Sequence, residues 1–327
     1  MNFEIDDQQR DFAASIDAAL GAADVPAAVR AWGEGDTAPG RKVWARLADL
    51  GVTALMVPEK FDGIDAHPTD LVVAMERIGR WAVPGPVTES IAVAPILLAG
   101  QDEWAQRSAA LASGELIATV ALPPLVPRAV DADTADLILL AEDGQVHDGA
   151  AGARHESIDP SRHLFDVNAA GDAQSADVAR AFEFGALATA AQLIGAAQEM
   201  LDAAVEYAKQ RSQFGNVIGS YQAIKHKLAD VLIAIEMARP LVYGAALALA
   251  QAGTAASTSI ARDVSAAKVA AADAALLAAR SALQTHGAIG FTQEHDLSLL
   301  LVRVQALRPA WGDPTWHRRR VLEALTA

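Results

Sequence analysis

Cysteine is absent from the 327-residue chain, which removes disulfides, thiolate nucleophiles and cysteine-ligated metals together. Aromatics are scarce, 5% of residues against 52% hydrophobic overall. Alanine therefore supplies much of the apolar content, and alanine is the strongest intrinsic helix former. Basic residues are the minority charge, 26 against 41 acidic for a formal net charge of −15. Such a surface repels nucleic acid and anionic lipid, so neither is an expected partner. A local basic pocket for a phosphorylated ligand stays open. The start, MNFEIDDQQRDF, has neither a basic cluster nor an apolar run, so no signal peptide is expected. No apolar stretch of about 18 residues runs free of charge or Gly/Pro breaks, so no membrane span is expected. The eight histidines show no HExxH-type spacing, and no metal site is expected. A cytoplasmic protein follows from these absences.

The length suffices for two or three small domains. Residues 1–112 read as an N-terminal helical domain. Phe12, Ile16 and Leu20 stand at helical spacing behind Asp6 and Asp7, which suit an N-terminal turn. Further helices are expected over 43–50, 71–80, 87–98 and 103–112. The pattern changes at Gly114. IATVAL, ADLILLA and QVHDG read as strands, broken by PPLVPR and a turn at Glu142-Asp143-Gly144. This shortened β region, 113–168, spans too few residues for a full independent β-domain. A polar linker, 169–177, leads to the C-terminal domain, 175–327, with helices expected over 179–211, 220–252, 255–285, 293–307 and 314–326. Long antiparallel helices with short links make a bundle. Their alanine-rich faces favour close approach and oligomerisation. The expected fold class is mainly α: helical domain, truncated β region, four-helix bundle.

Two stretches carry more than composition: YAKQRSQFGNVIGSYQAIKHKLADV at 207–231 and QTHGAIGFTQEHDLSLLLVR at 284–303. Arg211 closes a long helix just before a turn at Gly215. A guanidinium there can pair with a pyrophosphate, or cap the carboxyl end of its own helix. Phe214 can be a ligand contact or a core anchor, and Gln222 a ligand contact or a solvent-facing residue. Gly287 and Gly290 allow close approach of a ligand to backbone, or a helix cap and turn. His286 can touch a cofactor or bond a carbonyl.

Both stretches, in this order and about 70 residues apart, resemble the C-terminal domain of acyl-CoA dehydrogenases. WARLADLGVTALMVPEKFDGI, DLVVAMERIGRWAVPGPVTES and LASGELIATVAL are similar to the N-terminal part of the same family. The chain most resembles the shorter members that form one half of a two-subunit enzyme. That resemblance implies FAD as cofactor, touched by Arg211, Phe214, Gln222, Gln284, His286, Gly287 and Ala288 while seated mainly in another subunit. It also implies an acyl-CoA substrate, a bulky one such as a steroid side-chain CoA thioester, and electron-transferring flavoprotein as acceptor.

Two departures from the family stand out. Acyl-CoA dehydrogenation needs a carboxylate that removes the α-proton. The family places it either just before the glycine of the final loop, which is Trp311 here, or on the first turn of the helix ending at Arg211, which is Gly185 with Ala186 next. None of these accepts a proton. Glu183 and Asp313 are the nearest carboxylates and the candidates for a displaced base. A two-residue step turns a helix side chain by about 200°, and a solvated carboxylate of the first helical turn is the plainer expectation for Glu183. The second departure is the short β region, which has no tryptophan and no serine- or threonine-rich flavin loop. Together these imply a half-site subunit whose longer partner supplies the base and most flavin contacts, in a heterotetramer. A self-sufficient homo-oligomer with a displaced base, and a flavin-free helical scaffold, are the alternatives.

Overall fold

The structure, a computed structural model, describes residues 5–100, 102–213, 215–251 and 258–326. The N-terminal part holds α1 (Asp7–Gly21), α2 (Val25–Gly33), α3 (Ala38–Asp49) and α4 (Pro68–Arg80). A π-helical turn, Glu89–Val93, runs into α5 (Ala94–Leu98), and α6 (Ala105–Ser113) follows. Asp6 starts α1 through a capping box with Gln9, each side chain meeting the other's backbone N–H. The helix α2 had no counterpart among the sequence expectations. It is only nine residues long, too short for apolar periodicity to show. The π turn has a local cause: Pro95 lacks an N–H, and the Ala94 N–H reaches back five residues to the Glu89 carbonyl.

The β region is fuller than the sequence suggested. Strands β1 (Ala118–Ala121), β2 (Ala129–Val130), β3 (Leu137–Glu142), β4 (Gln145–His155), β5 (Leu164–Ala169) and β6 (Gln174–Ser175) form one sheet. Its order is β1-β3-β4-β5-β2, with β6 beside β4. Asp143 and Gly144, both at positive φ, make the two-residue turn from β3 to β4, a geometry that matches strand twist. The stretch expected to be a polar linker instead holds β6 and the end of β5. Short strands survive there because β4 supplies a long pairing edge.

The C-terminal part holds α7 (Val178–Gln210), the small hairpin β7 (Ser212–Gln213) and β8 (Asn216–Val217), then α8 (Gln222–Gln251), α9 (Thr258–His286), α10 (Leu297–Leu307) and α11 (Pro314–Thr326). Buried alanines line both α7 and α9, and α7, α8 and α9 pack against one another as the heart of the bundle. By length and composition α8 could cross a bilayer, with a mean hydropathy of 1.6. One apolar face, with Val231, Ile235, Val242 and Ala245, packs on α4, α7 and α9, while Leu232, Ile233, Met237 and Leu241 are exposed.

The N-terminal helices sit directly on the bundle where α4 crosses α7. A Cβ on Gly195 of α7 would overlap the Glu76 carbonyl and come 2.8 Å from the Arg80 nitrogen. One on Gly79 of α4 would lie 2.6 Å from the Gln192 carbonyl carbon. Backbone meets backbone there, which only glycine permits. Gly195→Ala is therefore expected to destabilise the chain by about 3 kcal/mol, at the upper end of ordinary overpacking, because rigid backbone cannot step aside. Denaturant unfolding of the variant checks this, and an unchanged midpoint contradicts it.

Candidate functional site

Three helix ends converge at one end of the bundle. Arg211 follows α7 and is exposed. Its N–H donates to the Tyr207 carbonyl at 2.9 Å, and its own carbonyl accepts from Ile218 N–H at 2.8 Å. The chain then turns through Gly215 at φ +81, and the Tyr221 hydroxyl donates to the Gln213 carbonyl at 3.0 Å. That braces the hairpin against the start of α8. Gln222 opens α8 and is exposed. On α9, Gln284 is exposed and accepts from the Lys227 ammonium of α8 through its Oε1. Gly287 then takes φ +69 and, with Ala288, lies at the surface.

Arg211, Gln222, Gln284, Gly287 and Ala288 thus stand free of the core at the same end of the helices. Phe214 lies outside the described residues. His286 differs. It is 6% exposed, its Nδ1 meets the Ala282 carbonyl at 2.9 Å, and its ring stacks on Tyr207 at 4.4 Å with His295 edge-on at 5.1 Å. Of the two roles left open for it, the carbonyl bond is the one the geometry realises. Burial lowers its pKa, which favours the neutral ring that such a stack needs.

The exposed set suits an anionic dinucleotide such as FAD. It offers a guanidinium fork, two side-chain amides and the amino end of a 30-residue helix, where the peptide dipoles leave partial positive charge. Nothing lies within 4 Å of where a Cβ of Gly287 would be, so a ligand can approach that backbone closely.

The two positions where relatives carry a base meet each other in the core. Trp311 is 1% exposed and at φ +56. A Cβ on Gly185 would lie 2.7 Å from its Cζ3 and closer still to two other ring atoms. The indole occupies the space that a side chain at 185 would need. Its Nε1 donates to Glu89 Oε1 at 3.1 Å, while Glu89 Oε2 is buried without a partner among the described residues. Phe182 packs beside the indole, centroids 6.1 Å apart.

The loop carrying Trp311 is held from below. Lys268 donates to the carbonyls of Leu307 (3.2 Å), Arg308 (2.9 Å) and Gly312 (3.5 Å), capping the carboxyl end of α10. His317 meets the Trp311 carbonyl at 2.9 Å and the Ser265 hydroxyl at 3.0 Å. Burial pulls Lys268 down to about 7 and His317 down to about 4.

Both displaced-base candidates are engaged elsewhere. Glu183 is not the solvated first-turn carboxylate expected from the sequence. The helix starts at Val178, so Glu183 lies in its second turn, and Gly185 is likewise not in the first. The carboxylate is 1% exposed and both oxygens are taken by Arg320, Oε2 at 3.0 Å. Asp313 caps α11, accepting the N–H groups of Trp316 (3.1 Å) and Thr315 (2.7 Å). Those bonds hold its pKa below the ordinary value, the wrong direction for a base near neutral pH. Nothing local in the sequence marked Glu89, Lys268 or His317, because their partners are at least 39 residues away or lie in the irregular loop around Trp311.

His317 and Asp131 give opposing pH dependences. His317, depressed below its unfolded value near 6.5, contributes stability that is present above pH 6.5 and is lost as pH falls toward 4. Burial raises Asp131, at the end of β2, to about 7. Its contribution is present below the unfolded value near 3.9 and is lost as pH rises through 7. The two slopes cancel between pH 4 and 6.5. The stability gap between wild type and His317→Gln is therefore expected to close by about 1.4 kcal/mol per pH unit as pH falls from 6.5 to 4. Urea titrations at pH 4.5 and 6.5 read it, and a constant gap contradicts it.

An acyl-CoA dehydrogenase N-terminal domain model matches residues 6–115, and an acyl-CoA dehydrogenase C-terminal domain model matches residues 176–326. The chain belongs to the acyl-CoA dehydrogenase family, oxidoreductases acting on acyl-CoA thioesters that use FAD. It is 33% identical over 299 residues to acyl-CoA dehydrogenase IpdE2 of Mycobacterium tuberculosis, covering 90% of each chain. The fold is also similar to the ChsE4-ChsE5 complex from Mycobacterium tuberculosis, with a TM-score of 0.85 at 22% identity over 100% of this chain and 99% of that one. A Tcur3481-Tcur3483 steroid ACAD variant gives a TM-score of 0.85 at 19% identity over 98% of both chains.

Proposed function

We propose that this chain is the half-site subunit of a heteromeric, FAD-dependent acyl-CoA dehydrogenase, paired with a longer subunit that supplies the catalytic glutamate and most of the flavin contacts. One observation carries the reading. Both positions where relatives keep a base are occupied by an indole packed on a glycine, and the neighbouring carboxylates Glu183 and Asp313 are committed to an ion pair and a helix cap. When bound, FAD accepts the hydride that leaves the β-carbon of the acyl chain. The residues of this chain hold and orient it. Arg211 would present its fork to the pyrophosphate, Gln222 and Gln284 would donate amide N–H groups, and Gly287 and Ala288 would offer exposed backbone to the dinucleotide. The base that takes the α-proton belongs to the partner.

The similarity to a two-protein complex and to a steroid ACAD supports a heterotetramer with a bulky substrate, a steroid side-chain CoA thioester; the family resemblance implies electron-transferring flavoprotein as the acceptor. Purified alone, the chain is expected to be colourless. Co-expressed with its partner it should yield a yellow complex that oxidises acyl-CoA. Stoichiometric FAD together with turnover in the isolated chain would overturn the reading in favour of a self-sufficient enzyme.

A further inference from the structure

Lys227 has no ascribed role in the site, yet its placement is specific. It lies on α8 five residues after Gln222, is half-buried, and has no carboxylate partner among the described residues. Its ammonium donates instead to Gln284 Oε1 on α9. An ammonium has three donors and no acceptor, whereas a glutamine amide has one oxygen acceptor and two N–H donors. Amide orientation is ordinarily ambiguous, but only the oxygen can face an ammonium. Gln284, itself exposed, must therefore turn its NH2 group away from Lys227. The pair thus presents N–H donors beside a positive charge, near the amino end of α8 and on the same end of the bundle as Arg211.

We propose that Lys227 is a positioning residue for the flavin-facing site, fixing Gln284 as a donor toward the anionic bridge of the dinucleotide. This rests on the half-site reading above. Donors of this kind complement phosphate oxygens, and charge-assisted hydrogen bonds are the stronger class. An aspartate or glutamate at 284 would hold Lys227 equally well and would turn acceptors toward the phosphates instead, so the lysine selects against nothing by itself. It is the combination of lysine and amide that sets the polarity.

The test uses the assembled complex and reads FAD affinity by flavin fluorescence, independent of turnover. Lys227→Met, which keeps the methylene stem, is expected to weaken FAD binding about tenfold, with the melting temperature of the isolated chain unchanged. Lys227→Arg should restore most of the affinity. Because the lysine acts through the amide, the double variant Lys227→Met/Gln284→Leu should bind FAD no more weakly than Gln284→Leu alone. Arg211→Ala in the same complex separates the two ideas. If it weakens FAD binding while Lys227→Met does not, or if the double variant shows additive losses, the positioning role is overturned and the half-site reading stands. If Arg211→Ala, Gln284→Leu and Lys227→Met all bind FAD like wild type, the half-site reading itself fails.

Discussion

Gly185→Glu, which restores a carboxylate where relatives carry one of their bases, is expected to unfold the chain rather than to activate it. The glycine faces the Trp311 indole so closely that even a Cβ overlaps the ring. The ring cannot yield easily. Its Nε1 is bonded to Glu89, its carbonyl to His317, and the loop behind it to Lys268. A glutamate there must displace a buried tryptophan and bring a charge into an apolar site, and the two penalties together should exceed about 4 kcal/mol. Trp311→Ala alone should cost about 3–5 kcal/mol, as large aromatic truncations do. The double variant is the informative one. Removing the indole makes room for the new side chain, so its cost should fall well below the sum of the singles. Denaturant unfolding of the four proteins closes the cycle. A melting temperature for Gly185→Glu within about 2 °C of wild type, a shift that corresponds to about 1.4 kcal/mol in a chain of this size, would mean that the indole does not fill the position.

Arg303→Leu is expected to cost about 3–5 kcal/mol, the range for breaking a buried pair by removing one partner. Arg303, on α10, is 2% exposed. Its Nε bonds Asp159 Oδ2, its Nη1 the Val83 carbonyl at 2.8 Å, and its Nη2 the Ser161 hydroxyl at 2.9 Å. One guanidinium therefore ties the bundle to the loop before β5 and to the segment after α4. Leucine leaves the buried Asp159 Oδ2 and the Val83 carbonyl without their guanidinium partner. Burial pushes the Asp159 pKa up, but the charge and hydrogen bonds of Arg303 outweigh it and hold the carboxyl below its ordinary value. Its contribution to stability is present above the unfolded pKa near 3.9 and is lost as pH falls below that. In Arg303→Leu burial is opposed only by the Ser161 hydrogen bonds and the Arg162 charge, so the carboxyl pKa rises and the loss of stability as pH falls through the carboxylate range should shrink. Arg303→Leu/Asp159→Leu should recover much of the loss at pH 7, because no charge is left stranded. A single variant as stable as wild type would show that the network contributes only shape.

Much of the architecture was legible from residue order because the relevant forces are local. Alanine-rich helical spacing located α7, α8, α9, α10 and α11 to within a few residues, and Asp143-Gly144 located the β3–β4 hairpin. Those elements depend on intrinsic helix preference and on turn chemistry, which neighbours along the chain decide. The motifs at 207–231 and 284–303 likewise carry the family resemblance in residue identity and spacing alone. The strands β2, β5 and β6 were not legible, since two of them are two residues long and exist only because a neighbour pairs with them. The state of Glu183 was misread for the same reason. Its position near a helix start predicted solvent, and the partner that buries it, Arg320, lies 137 residues further on.

The sequence by itself determined that no glutamate stands at position 185 or 311, and that Arg211, Gln222 and Gln284 remain. Only the tertiary structure decided what took the place of the base: an indole from the last loop filling the gap above a glycine near the start of α7. It also decided which way Gln284 faces, through a lysine 57 residues away. Side-chain identity is a property of the chain, but occupancy of space and the direction of a hydrogen bond are set by whichever residue the packing brings alongside.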